Sequence, residues 1–224
     1  MSGLRLDWVG NDAVTYACEH WHYSRSVPAG RKMAVGVWEA GVFKGVVIFS
    51  RGSTPLIGSP YGLSQSEVCE LTRVALREHK APVSRIVAIA IRLLRKAAPG
   101  LRLIVSYAAH EQGHHGGIYQ AGGWIYEGPM ESHSYIVKGK PSHARSLVSK
   151  YGSSSLDWLQ QNVDPYARKI ADLVRHKYLM PLDGDIRDDI RRLAKPYPKR
   201  AKQATDGDHP DGGGAAPTRA LQDT

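Results

Sequence analysis

The first half of the chain alternates between apolar runs and breaker-rich segments. Residues Ala34–Ser50 contain two runs rich in Val, Ile, Phe and Trp around a turn at Gly41, which predicts a β-hairpin. Arg51–Ser66 is rich in Gly, Pro and Ser and predicts a loop. Glu70–Arg77 has apolar residues on both faces, which predicts a buried strand.

The next segment has the pattern of a helix followed by another strand. Pro82 suits the first turn of a helix, and apolar residues at Ile86–Leu94 fall on one helical face. Pro99-Gly100 ends the helix, and Leu101–Ala108 is a short apolar run typical of a buried strand. Residues 70–108 therefore predict two parallel strands joined by a right-handed helical crossover.

The second half predicts shorter elements. Ile118–Ala121 suits a short helix that ends at Gly122-Gly123. We expect two closing strands at 124–127 and 133–138, and then helices at 155–163, at 165–179 with Asp164 as its N-cap, and at 185–195. Residues 203–224 are rich in Gly, Asp and Pro, so we expect a disordered tail.

These elements predict an α/β (α+β) fold in which helices flank a mixed sheet. We divide the chain into a catalytic domain at 1–150, a basic helical extension at 151–202 and the tail at 203–224.

The positive net charge of the chain indicates an acidic binding partner. The net charge is +9 and the pI is about 9.6, as expected for a nucleic-acid binder, although enzymes with small acidic substrates share this property. Residues 166–203 hold eleven Lys or Arg residues against five Asp residues. Within them KPYPKRAK, at 195–202, suits a flexible arm that contacts phosphates; the alternative is a solvated helical appendage.

Cysteine usage and hydropathy point to a cytoplasmic protein. Cys18 and Cys69 are the only cysteines, so no disulfide framework is expected. The sequence contains no apolar run long enough to cross a membrane, and Met1–Asp12 lacks the features of a signal peptide. The oligomeric state cannot be predicted.

Two groups of residues carry possible binding chemistry. Lys80, Ser84 and Arg85 lie near the start of the predicted helix, where free amides attract anions; alternatively, Ser84 caps the helix and both cations are solvated. His22 and Tyr23, followed by His110 and Glu111, are candidate ligands for a first-row metal, although a His-rich loop is more often solvated.

Three further sites suit a substrate. Arg73 interrupts an apolar strand, so it either pairs with Glu70 or faces the ligand cleft. Ser106 ends a buried strand, where its hydroxyl either faces substrate or is hydrogen-bonded within the core.

If the substrate is a base in duplex DNA, that base must leave the base stack. Aromatic residues available to stack on it are Tyr61, Tyr107 and Trp124.

The segment IYQAGGWIYEG, at 118–128, resembles the end of the GNAT acyltransferase fold. The resemblance implies that two splayed parallel strands hold acetyl-CoA or a related acyl-CoA along Arg73, Val74, Ala75 and Leu76. It also implies that the phosphates meet Lys80, Ser84 and Arg85, and that Tyr119 protonates the leaving thiolate. The chain departs from the family in having HKAPVSR where a Gly-containing pyrophosphate loop is usual.

The segments HYSRSVPAG, ELTRVAL, SYA and QGHHGGIYQAGGW, within about Tyr16–Lys150, resemble the Mom family. This resemblance implies a phage enzyme that converts adenine in double-stranded DNA to a carbamoylmethyl-adenine and so shields it from restriction. It further implies an acyl-CoA donor and an iron centre. The site residues would be His22, Tyr23, Ser24, Arg25, Arg73, Ser106 and Tyr119.

Two other functions remain open. An ordinary GNAT N-acyltransferase acting on a small amine or a protein is disfavoured by the missing pyrophosphate loop and the basic C-terminal region. A non-enzymatic DNA-binding protein is disfavoured by the His, Tyr and Arg residues grouped at the strand ends, and no helix-turn-helix or zinc-finger pattern occurs.

Overall fold

The computed structural model describes residues 3–52, 54–109 and 116–199. The elements in chain order are β1 (Leu4–Trp8), α1 (Asn11–Trp21), β2 (Lys32–Glu39), β3 (Val42–Ser50), a 3-10 helix (Ser59–Tyr61), β4 (Val68–Leu76), α2 (Val83–Ala97), β5 (Leu103–Ala109), α3 (Gly117–Ala121), β6 (Ile125–Val137), β7 (Lys140–His143), α4 (Ala144–Tyr151), α5 (Leu156–Asn162), β8 (Arg168–Pro181) and α6 (Gly184–Arg191). The candidate ligands His110 and Glu111 and the predicted tail at 203–224 lie outside the described residues.

All eight strands of the described residues form one mixed sheet in the order β1-β2-β3-β4-β5-β8-β6-β7. The β4–β5 pair is parallel, as the strand-helix-strand pattern predicts, and the other pairs are antiparallel. The predicted α/β fold, with helices flanking a mixed sheet, is confirmed.

Alternating side chains divide the core between the two faces of the sheet. On one face, Val35, Val47 and Ile104 pack under the apolar side of α2. On the other face, α1 covers one half through Val14, Ala17 and Cys18, while α6 covers the half formed by β5 and β8. These two opposed layers fix the positions of β4 and β5 between them.

The distal parts of β6 and β8 extend beyond β5 and carry β7, α4 and α5. Tyr135, Val137, Leu147, Leu159 and Ala167 form a separate apolar cluster there. This small lobe therefore has a core of its own.

Two predictions about the second half are wrong. Residues 168–181 form β8, where a helix was expected at 165–179, because β5 and β6 both offer it a pairing edge. Residues 125–137 form one strand rather than two, with Gly128-Pro129 inside it next to a register shift. Part of the predicted helical extension at 151–202 thus lies within the main sheet, while the domain boundaries themselves stay a prediction.

No helix of the described residues has the length and apolar character needed to cross a membrane.

Candidate active site

The parallel strands β4 and β5 separate soon after they begin. They pair only from Val68 to Glu70 on β4 and from Leu103 to Val105 on β5. Beyond Glu70, β4 pairs with β3 alone, up to Leu76 opposite Gly45. The edge of β4 that faces β5 therefore has no strand partner over Arg73, Val74, Ala75 and Leu76, in the part of the chain that the structure describes. This opening lies along the residues where the resemblance to the GNAT fold implies an acyl donor.

Two hydroxyl groups meet where the strands separate. The fully buried Ser106 on β5 has its Oγ 2.8 Å from the Leu71 carbonyl oxygen and 2.8 Å from the Tyr119 hydroxyl. A carbonyl oxygen can only accept, so when Ser106 donates to Leu71 it accepts the proton of Tyr119. If Ser106 instead donates to Tyr119, the Tyr119 proton is free to go to a substrate. Rotation of a single hydroxyl therefore decides whether Tyr119 can donate.

The surroundings of Tyr119 keep that proton in place at neutral pH. Burial raises the pKa of Tyr119 to about 12, although the bond to Ser106 acts in the opposite direction. The ring is held by Trp124 and Tyr178, each with its ring centroid 5.0 Å away. A fixed tyrosine that stays protonated has the properties of a general acid.

A β-bulge in β4 sets the direction of Arg73. Leu71 pairs with Phe49 and Arg73 with Ile48, which leaves Thr72 as an extra residue. Arg73 consequently lies on the α1 face, where its charge opposes the burial that raises the pKa of Cys18.

The Arg73 guanidinium is only partly satisfied. Its NH1 donates to the Thr72 carbonyl oxygen at 2.9 Å, and among the described residues its buried Nε has no hydrogen-bond partner. No ion pair with Glu70 occurs among the salt bridges of these residues. A buried donor without a partner costs free energy, so Nε is a candidate donor to a bound substrate.

His22 and Tyr23 follow the end of α1. The His22 ring is buried, and its Nδ1 accepts the Ser24 backbone N–H at 3.1 Å, with Ser24 Oγ 2.8 Å away. Because a backbone amide can only donate, Nδ1 carries no proton. Tyr23 is half-exposed, contacts the His22 ring at 4.2 Å, and lies near enough to Tyr119 to raise its pKa. Tyr23 therefore lies near Tyr119, and His22 packs against Tyr23.

Arg25, a predicted catalytic residue, contacts the end of α1. Its NH1 donates to the carbonyl oxygens of Glu19 at 2.7 Å and His20 at 2.6 Å, at the end of α1. Its backbone has φ +48°, in the left-handed region. A cation on these carbonyl oxygens caps the helix and favours its dipole.

An iron centre does not fit the described residues. Within 3–52, 54–109 and 116–199, no three His, Cys, Asp or Glu residues are grouped so that they could hold a metal ion. Two of the candidate ligands, His110 and Glu111, lie outside these ranges.

The loop just before α2, part of the region predicted to bind phosphates, already holds an anion. The Glu39 carboxylate accepts the backbone N–H of Lys80 at 2.8 Å and of Ala81 at 2.7 Å. These two bonds are the main reason that the pKa of Glu39 is lowered. The amides of Lys80 and Ala81 are therefore not open to a phosphate while Glu39 keeps this position.

A cavity of about 690 Å³ lies beside this carboxylate, and Lys44, Lys80 and Arg85 are among its lining residues. Ser84 does not line the cavity, and the N-cap of α2 is Pro82 rather than Ser84. The cations remain available to an anion, although the backbone amides are not.

Sequence reasoning missed several residues. Nothing in the sequence marks Glu39, because its partners lie 41 and 42 residues further along the chain. Lys177, which pairs with Glu127, was assigned to a helix. The candidate stacking residue Trp124 is only 1% exposed, so it supports Tyr119 from within the core and cannot stack on a base without rearrangement.

Together, these features define a mixed α/β protein whose candidate active site lies where two parallel strands separate around a serine–tyrosine pair. The profile of the Mom protein family matches residues 3–199. The chain belongs to this family, as the resemblance in the sequence predicts. No curated protein matches the chain significantly.

Solved structures similar to this chain include two acetyltransferases. A Bacillus subtilis acetyltransferase in complex with CoA is 14% identical, with 82% of this chain and 100% of that chain covered and a TM-score of 0.45. A spermidine/spermine N-acetyltransferase from Vibrio cholerae, in complex with manganese ions, is 11% identical, with 85% and 96% covered and a TM-score of 0.43.

Proposed function

We propose that this chain is a DNA-modifying transferase that converts adenine in duplex DNA to a carbamoylmethyl-adenine and so protects phage DNA from restriction. The observation that carries the proposal is the match to the Mom family along residues 3–199. The net charge of +9 supports a polyanionic substrate. We place the activity in the cytoplasm of a bacterial host.

The site supports a division of roles. The target adenine leaves the base stack and enters beside His22 and Tyr23. Arg73 Nε donates to an oxygen of the bound reactants, which satisfies the donor left without a partner. Tyr119 gives its proton to the leaving group while Ser106 donates to the tyrosine oxygen.

The unpaired edge of β4 supports a donor that lies between β4 and β5. An acyl-CoA bound there would supply the two-carbon skeleton of the added group. Since a carbamoylmethyl group is bonded to adenine through its methylene carbon and carries an amide, the reaction also requires a nitrogen donor and a two-electron oxidant as co-reactants. Because Glu39 occupies the backbone amides of Lys80 and Ala81 just before α2, and Ser84 does not line the neighbouring cavity, we assign the phosphates of the acyl-CoA to the side chains of Lys44, Lys80 and Arg85.

Mass spectrometry of nucleosides tests the proposal. Plasmid DNA from cells that express the full chain is digested and compared with DNA from cells carrying the empty vector. We expect a new adenine nucleoside heavier by a carbamoylmethyl group. Unmodified adenine in cells with abundant soluble protein would contradict the proposal and favour an ordinary N-acyltransferase or a DNA-binding protein.

A further inference from the structure

A buried ion pair lies on the α6 face of the sheet, outside the site described above. Lys177 on β8 is 7% exposed, and its Nζ lies 3.0 Å from Oε2 of Glu127 on β6. The Tyr61 hydroxyl donates to the same oxygen at 2.5 Å, and Lys177 Nζ lies 5.0 Å from the centre of the Tyr61 ring. The Glu127 charge is therefore already balanced inside the protein.

A cavity of about 350 Å³ opens over this pair, with Arg192 and Lys195 at its rim. Both rim residues are exposed, and neither forms an ion pair within the described residues. The lining residues thus include three cations and one carboxylate, and that carboxylate is already bonded to Lys177 and Tyr61. Among the described residues, Arg192 and Lys195 therefore leave the cavity with an excess of positive charge.

The rim is held in place by the backbone. The Lys195 backbone N–H donates to the Tyr126 carbonyl oxygen at 2.8 Å, and the Tyr197 hydroxyl donates to the Trp124 carbonyl oxygen at 2.6 Å. The Lys195 side chain crosses Gly128 so closely that a Cβ on that glycine would lie 2.7 Å from Nζ. The start of the segment KPYPKRAK is therefore anchored to the main sheet, where a flexible arm was expected.

We propose that this cavity binds one phosphate of the DNA backbone beside the nucleotide that is modified. The inference rests on the proposed function. Arg192 and Lys195 supply a guanidinium and an ammonium to the phosphate oxygens, while the Glu127–Lys177 pair forms the floor. Tyr119 belongs to the core under α2 on the other face of the sheet. The cavity lies on the α6 face at Lys177, which pairs with Tyr107, the residue next to Ser106 on β5. The cavity is therefore near enough to hold the strand whose base enters the site.

The salt dependence of DNA binding tests this proposal. The affinity of the full chain for a fluorescent 20-base-pair duplex, about two helical turns, is measured over a range of salt concentrations. The test variant is Arg192→Gln/Lys195→Gln. The matched control is Arg95→Gln/Lys96→Gln, which removes the same two charges from exposed positions at the end of α2, on the opposite face.

Each phosphate contact contributes about −0.9 to the slope of log K against log salt. We expect the test variant to lower the magnitude of this slope by about that amount and to weaken binding roughly tenfold at low salt, with the control unchanged. Equal slopes for the wild type and the test variant, equal losses in test and control, or no DNA binding by the wild type would each overturn the proposal.

Nucleoside mass spectrometry separates this result from the proposed function. Modified adenine together with an unchanged salt slope overturns the phosphate site alone. A selective loss of slope in a chain that leaves adenine unmodified supports the phosphate site and overturns the transferase assignment.

Discussion

The sequence predicts ligand binding in two regions, and these regions differ in how many of their polar groups are hydrogen-bonded within the protein. Just before α2, Glu39 accepts the amides of Lys80 and Ala81. At the opening between β4 and β5, Arg73 Nε is buried with no partner among the described residues, and Tyr119 can turn its proton outward. An internally balanced group adds stability, whereas an unbalanced one is available to a substrate. We therefore expect the reaction to occur at the opening and expect Glu39 to have a structural role.

Tyr119→Phe is expected to have the largest effect. Loss of a general acid should lower the rate of adenine modification by about 10²- to 10⁴-fold, while the fold is retained because the ring still packs against Trp124 and Tyr178. The measurement is the yield of modified nucleoside, with circular dichroism to follow folding. Tyr135→Phe, a buried tyrosine in the small lobe, is the matched control and should keep full activity. Wild-type yield from Tyr119→Phe would remove Tyr119 from the mechanism.

Arg73→Met is expected to lower activity much more than stability. A charged donor bond to substrate contributes about 1.5–3 kcal/mol, so activity should fall by about 10- to 100-fold. Urea unfolding should show only a modest loss of stability, since the variant removes the bond from NH1 to the Thr72 carbonyl oxygen together with a buried Nε that has no partner among the described residues. A clear drop in the free energy of unfolding with normal activity would show that Arg73 is structural.

Glu39→Gln is expected to lower the melting temperature and leave activity largely intact. The pKa of Glu39 is lowered from an ordinary value of 4.5 by the amides of Lys80 and Ala81. Its stabilising effect is therefore fully present above that value and is lost as the pH falls through the lowered pKa. Melting curves should show a gap between wild type and variant at pH 7 that closes in acid below pH 4.5. A gap that does not change with pH would rule out the charged carboxylate as its cause.

Ser84→Ala is expected to have the smallest effect. Ser84 neither caps α2 nor lines the neighbouring cavity, so both the melting temperature and modification should stay close to those of the wild type. Differential scanning fluorimetry and nucleoside analysis measure the two quantities. A large loss of modification would place a phosphate at Ser84 after all.

The parts of the fold that follow from local patterns could be predicted. The hairpin and the strand-helix-strand unit have clear periodicity and breakers at their ends, so their boundaries agree closely with β2, β3, β4, α2 and β5. The β8 segment could not be predicted in this way, because its strand conformation depends on the free edges of β5 and β6 rather than on its own residues.

The candidate site, like the fold, could be predicted from the sequence only in part. Ser106 and Tyr119 were singled out from the sequence, and the structure joins them through a 2.8 Å hydrogen bond. The contacts of Arg25 with the carbonyl oxygens of α1 could not be predicted, since they depend on a left-handed backbone conformation that the sequence does not indicate. Glu39 was missed because only the folded sheet brings it to α2.

The position of β8 has a consequence for how the chain folds during synthesis. β6 and β7 are made before β8, but the sheet order places β8 between β5 and β6. Until Pro181 has left the ribosome, β5 and β6 each have an edge whose backbone groups lack a strand partner. Such edges can pair with strands of other chains. Pairing over this sequence separation is slow to form, so the second half of the sheet closes late. A chain cut short before Arg168 would therefore lose much more than its C-terminal basic residues, because it would lack the strand that joins the two halves of the sheet.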